Sequence, residues 1–361
     1  MTDLDPNPAP NGSASRRLPG ADRARAYTER AKSETTDVIA DLTPKPSSWE
    51  RFSTPTDVLS DGVGWVPPAP KEAPGQWLTP VARLVKVLSF GLAKPQPGQE
   101  ELAHRQYVRA IRQAAWPRSV RIAVANPKGG AGKSPAAVIL GGILAHIRGG
   151  SVAVWDASDA AGTLAARAEG AAARCISDIA ADPDAYALPA MIAMCAATQT
   201  STADVLGSLR EREFTAADIA KVSAVLDATY RVSVADTANC PHSSAYEAVI
   251  ERADILVVPT VVTADSVNKA LSLLRRLQDT PTGLAQRAVV AVLHSGAPET
   301  PRLGGDLPAL FEKAGVGAVV DIPFDAHIAQ GTAISLSALS HPSRVAWTRL
   351  AATVVANVTV N

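Results

Sequence analysis

The sequence predicts an α/β fold: a doubly wound, mostly parallel sheet with helices on both faces, preceded by a long Pro-rich extension. Three observations carry this. From residue 120 onward, short β-rich apolar runs alternate with stretches of helical period. The runs are almost continuously apolar, as strands buried on both faces are. The first run leads directly into a glycine-rich loop and then a helix. Composition suits such a core: 47% of the 361 residues are hydrophobic but only 4% aromatic, so Ala, Val, Leu and Ile must fill it. That length allows two domains, or one large domain with a tail, at roughly 100–200 residues per domain.

Charge and cysteine usage exclude several classes. The 35 basic and 35 acidic residues cancel, which argues against a globally basic nucleic-acid coat. Cys175, Cys195 and Cys240 are an odd set with no CxxC pair, so neither a disulfide framework nor a zinc or iron–sulfur site is indicated. No apolar run approaches the roughly 18 residues of a membrane span. The N-terminus MTDLDPNPAPNGSASRR has no apolar signal region, and a cytoplasmic protein is expected.

Residues 1–98 contain 14 of the 27 prolines and carry 12 basic and 11 acidic side chains in aperiodic groups. Such a stretch buries too little apolar surface to offset its ordering entropy, so a mostly disordered tail is expected. Trp49, Trp65 and Trp77 interrupt it, either as chance aromatics or as docking motifs for a partner or for the chain's own core. Residues 78–93 could form one short helix there. Residues 99–116 have apolar positions at helical spacing, with Arg105, Arg109 and Arg112 on the other face. A basic amphipathic helix is therefore assigned to 99–118, ended by Pro117, with the arginines read as a solvated face.

The third segment, 119–361, is the expected α/β domain. Its strands are read at 120–126, 151–156, 203–207, 231–237, 254–260, 288–295 and 318–323. Helices are read at 134–147, 215–229, 243–252, 264–278, 307–315 and 342–356. Thr215 followed by Asp218 supplies a capping start for the second of these helices.

The chemistry is concentrated after the first strand, in Asn126-Pro127-Lys128-Gly129-Gly130-Ala131-Gly132-Lys133-Ser134. The general phosphate-loop pattern G-x-x-x-x-G-K-[ST] is not met, because Pro127 occupies its first glycine position. The variant K-G-G-x-G-K-[ST] is met, and its physics is the same. Gly129, Gly130, Ala131 and Gly132 turn backbone N–H groups into one concavity, and the helix N-terminus adds positive potential. Lys133 is placed for the β- and γ-phosphates, and the Ser134 hydroxyl for Mg²⁺. ATP and Mg²⁺ are the implied cofactors, on a sheet of the P-loop NTPase type.

This motif resembles the deviant phosphate loop of the ParA/MinD family of ATPases. The resemblance implies that Lys128 acts in trans, on the ATP of a partner in a nucleotide-sandwiched homodimer. Asp156, ending the second strand, matches the family's second motif, and Asp236, ending RVSVADT, matches its Walker B aspartate and is the implied second Mg²⁺ residue. Ile322-Pro323-Phe324-Asp325 resembles the I-P-x-D segment beside the family's base pocket, which makes Pro323 a cofactor contact. The likeness covers residues 120–357. Gly162-Thr163-Leu164-Ala165, the segment ADVLGS at 203–208 and the Pro-rich extension look most like actinobacterial members, including ATPases associated with type VII secretion.

Two departures bear on activity. Pro135 stands where the family carries a second Thr, removing an N–H and a hydroxyl that would face the α-phosphate. That weakens binding by roughly 1–3 kcal/mol. In the family's D-x-D motif the second Asp positions the attacking water; here that position is Ser158, and Asp159 follows one residue later as the substitute. The two readings are a weak ATPase that positions a cargo (DNA, or a secretion or conjugation assembly) and a nucleotide-binding scaffold that does not turn over.

Among partners, the resemblance implies an ATP-dependent homodimer and nonspecific DNA, while the tail suggests a protein partner. Residues 122–361 carry 18 basic and 22 acidic side chains, net −4, which weighs against DNA. Lys269, Arg275 and Arg276 are read as solvated charges. The last helix has only Arg344 and Arg349 as charges, so a core-packing role is expected rather than membrane binding. His294 is read as structural.

Overall fold

In a computed structural model the described residues are 98–361, apart from 161, 211, 279, 301, 302, 360 and 361. The expectations for residues 1–97, including the helix at 78–93 and the three tryptophans, lie outside the described residues.

The chain enters through α1 (Gln99–Gln113) and β1 (Val120–Val124), then runs α2 (Lys133–Arg148), β2 (Val152–Asp156), α3 (Ile176–Ala181), α4 (Pro189–Ala193), β3 (Ala197–Thr198) and β4 (Asp204–Leu206). It continues α5 (Ala216–Thr229), β5 (Val232–Asp236), α6 (Ser244–Arg252), β6 (Ile255–Val261), α7 (Ala264–Gln278), α8 (Leu284–Arg287) and β7 (Val289–Leu293). The last elements are α9 (Leu303–Lys313), β8 (Ala318–Ile322), α10 (Ala326–Ala329) and α11 (His341–Asn357). The strands form one sheet in the order β3-β4-β2-β5-β1-β6-β7-β8. All pairings are parallel except β3 with β4, so the predicted doubly wound α/β sheet is present.

The continuous apolar runs have the expected cause. β1, β2, β5 and β7 are buried nearly along their whole length, and alternate residues feed two separate cores. Val120, Ile122 and Val124 face the layer of α1, α2 and α11. Ala123, Trp155 and Leu256 face the layer of α5, α6 and α7. Trp347 and Leu350 of α11 are buried in the first core, so this helix packs as expected.

Three local differences have physical reasons. α1 stops at Gln113, short of the predicted 118 and ahead of Pro117. Arg148 at the end of α2 donates to the carbonyls of Ile111 (2.8 Å) and Ala114 (2.9 Å), and its guanidinium lies over Trp116 at 4.7 Å. These orphan helix-end acceptors are satisfied by a side chain rather than by another turn. α9 begins at Leu303 rather than 307, with Pro308 inside it, at the loss of one helical hydrogen bond. The edge strand β3 and the short helices α3 and α4 were not predicted; with two to six residues each, they are too short to show a period.

Candidate functional site

The sheet places the candidate groups at the carboxyl ends of its central strands, where ligands of open α/β sheets bind. β5 lies between β1 and β2, and Asp236 is register partner to both Val124 and Asp156. The phosphate loop leaves β1 at the same level. Asn126 shapes its start: the amide donates to the Pro259 carbonyl at 2.8 Å, and its oxygen accepts the Lys128 N–H at 2.9 Å. Gly132 has φ +89°, a left-handed conformation that favours glycine, and a Cβ there would also meet the end of the Leu293 side chain.

Lys133 folds back into this loop. Its Nζ donates to the carbonyls of Asn126 (2.9 Å) and Lys128 (3.1 Å) and to the side-chain oxygen of Asn239. Burial pushes its pKa down to about 8, against the pull of Asp236. For Asp236 burial acts the other way. It drives the carboxyl up to about 7, with Asp156 adding to the rise and Ser134 and Lys133 opposing it. Among the described residues, Asp236 Oδ1 is buried without a hydrogen-bond partner. An orphaned carboxylate oxygen next to the Ser134 hydroxyl is a hard-oxygen donor set, which fits a magnesium ion.

Asp156 is different. Its carboxylate is fully buried and accepts the N–H groups of Ser158 (3.1 Å) and Gly162 (2.9 Å) and the Ser208 hydroxyl (2.5 Å). Arg212 pairs with it at 3.3 Å. Arg212 also donates to the carbonyls of Asp156 (2.9 Å) and Ser158 (2.5 Å) and stacks on Phe214, 3.6 Å from the ring centre. Asp156 thus has its acceptor capacity spent on organising the loop from 156 to 162.

These groups border a cleft of about 1030 Å³. Gly130, Gly132, Lys133, Ser134 and Pro135 line it on the loop side, and Ser158, Asp159 and Asp236 face it from the strand ends. Its other end is more apolar, with Ile322, Phe324, Ile328 and Trp347. Pro323, Gly129 and Ala131 are not among the lining residues: Ile322 and Phe324 flank the cleft instead of Pro323, and Ala131 is buried beneath the loop. Asp159 is half-buried, its Oδ1 accepting the Ala160 N–H at 3.0 Å. Lys128 lies outside the lining and is paired with Asp265 of α7 at 2.8 Å. Sequence alone gives no site role to Asn239, Arg212 or Thr163; Thr163 Oγ1 lies 3.4 Å from Ser134 Oγ.

Beside the cleft, His294 is structural, as expected. Its ring nitrogens face Glu299 at 2.5 Å and Asp321 at 2.8 Å. Partial burial works against its charge, but the two carboxylates outweigh it and raise its pKa above 6.5. A raised histidine pKa stabilises the fold fully below the unfolded-state value, and that gain is lost as pH rises through the folded-state value. The unfolding midpoint should therefore fall more between about pH 6 and pH 8 in the natural chain than in His294→Gln. Equal slopes in the two proteins would refute this.

Comparison with known proteins adds the following. No family model matches the chain. It is 30% identical over 227 residues to the ESX-1 secretion-associated protein EspI of two Mycobacterium tuberculosis strains, CDC 1551 and H37Rv. The match covers 61% of this chain, and the chain spans about a third (34%) of the length of those curated relatives. The solved structure of a ParA family ATPase from Chlorobium tepidum superposes with a TM-score of 0.52 at 16% identity, covering 64% of this chain and 98% of that one. Among the described residues no helix is long and apolar enough to cross a membrane. The mostly parallel eight-stranded sheet with its covering helices thus has the fold of that ParA family ATPase.

Proposed function

We propose that the chain is a Mg·ATP-dependent switch of the ParA/MinD type, which dimerises around nucleotide and resets by slow hydrolysis. The observation that carries the reading is the pairing, in one cleft, of a phosphate loop with Lys133 folded into it and a buried Asp236 oxygen that has no partner among the described residues. Lys133 and the loop amides bind phosphate, Ser134 and Asp236 would hold the metal, and the apolar end around Ile322 and Phe324 takes the base. The metal, when bound, neutralises charge between the terminal phosphates. Lys128, half-buried at the rim and held by Asp265, is the group for a partner's nucleotide. The cargo we favour is a secretion assembly, because the mycobacterial relatives are named as secretion-associated. Calorimetric titration of the full chain with Mg·ATP tests this reading: saturable binding is expected, and no binding at millimolar nucleotide would overturn it.

A scaffold without turnover is the second reading, and one observation favours it. Ser158 puts no carboxylate at the water-positioning site, and its backbone is locked to Asp156 and Arg212. Ser158→Asp should raise single-turnover phosphate release by roughly tenfold or more, the scale of a positioned base. Release already fast in the natural chain, and unchanged by the substitution, would assign the role to Asp159 and remove the scaffold reading.

A further inference from the structure

Resting on the nucleotide reading above, we infer that Arg167 is a phosphate-contacting residue that supplies the interaction Pro135 cannot make. At the start of α2 the available donors are few. The Ala136 N–H is spent on the Gly132 carbonyl at 3.0 Å, and Pro135, which lines the cleft, has neither an N–H nor a hydroxyl. The phosphate chain therefore meets a gap on that side just beyond Ser134.

Arg167 faces the same cleft from a short 3₁₀ turn, Leu164–Arg167, which packs against α2. That turn follows Thr163, itself 3.4 Å from Ser134. The Arg167 guanidinium reaches toward the other end, where it donates to the Thr332 carbonyl at 3.2 Å, just past Ile328 and Ala329 of the cleft wall. It thus stands between the phosphate end and the apolar end, where the phosphate nearest the nucleoside would lie. A guanidinium has five N–H donors; among the described residues only this one bond uses them, and Arg167 forms no ion pair. The side chain is not needed to tie the turn down, because the Ile334 N–H already bonds the Arg167 carbonyl at 3.0 Å and Leu164 is fully buried. A half-buried arginine with unspent donors suits a phosphate oxygen.

The test is a double-mutant cycle on the full chain, read by titration with Mg·ATP and Mg·ADP. Arg167→Gln should weaken both nucleotides by about tenfold and to a similar degree, because the proximal phosphate is common to them. Arg167→Lys should recover only part of that loss, since a point charge replaces a fork. Pro135→Thr should restore affinity strongly in the Arg167→Gln background and little in the natural one. The proposal is overturned by unchanged binding in Arg167→Gln, by a loss confined to ATP, or by a Pro135→Thr gain that is equal in both backgrounds. It is also overturned if Arg167→Gln lowers the nucleotide-free melting temperature and Pro135→Thr leaves the affinity loss in place. Lys133→Ala separates the two levels. Retained binding there sinks the nucleotide reading itself, whereas loss there with Arg167→Gln intact sinks only this inference.

Discussion

Arg212→Ala is expected to destabilise the protein by about 3–5 kcal/mol, the cost of leaving one half of a buried ion pair without its partner. Arg212 and Asp156 are respectively 5% and 0% exposed, so water cannot take over the lost bonds. The substitution would also free the carbonyls of Asp156 and Ser158 and remove the cation stacked on Phe214. Arg212→Ala together with Asp156→Asn should be less damaging than the two single losses summed, because the neutral amide leaves no buried charge. Chemical denaturation of the four proteins checks this. A single-variant loss within about 1 kcal/mol, typical of an exposed pair, would show that the clamp does not hold the loop.

The second large effect belongs to nucleotide affinity. Lys133→Ala should weaken Mg·ATP binding by roughly a hundredfold or more, since it removes the charge-assisted contacts of one ammonium, worth about 3 kcal/mol. The ammonium is already desolvated, and its three donors are held by two carbonyls and Asn239, so it meets phosphate by exchanging one of these partners. The fold should survive, because Lys133 bonds loop acceptors at the cleft rather than joining the two cores. Unchanged affinity in a folded variant would refute the assignment of the loop.

What the sequence made legible follows from distance along the chain. The phosphate loop is local, so nine consecutive residues state it, and the strands announce themselves by apolar runs that both cores require. Asp156 and Asp236 were legible because both end such runs, and sheet register then makes them neighbours. The rest reaches the cleft across long separations. Asn239 meets Lys133 over 106 positions, and Arg212 meets the Asp156 carbonyl over 56. No spacing rule links them, so a lone arginine in a charged stretch reads as solvated. The same holds for the filled shell of Asp156, which no linear motif records. Pro323 shows the converse: its motif was visible, but the chain turns so that Ile322 and Phe324 border the cleft.

In the proposed switch, nucleotide state controls assembly through Lys128, which is held by Asp265 at the rim and free to exchange that partner for phosphate. An exposed pair of this kind is worth about 1 kcal/mol or less, so a nucleotide phosphate can displace it. The most direct measurement is solution mass by light scattering of the full chain with Mg·ATP and with Mg·ADP. A dimer with ATP and a monomer with ADP are expected, and a Lys128→Ala variant should stay monomeric in both. The same mass with either nucleotide, under conditions where both are bound, would contradict it.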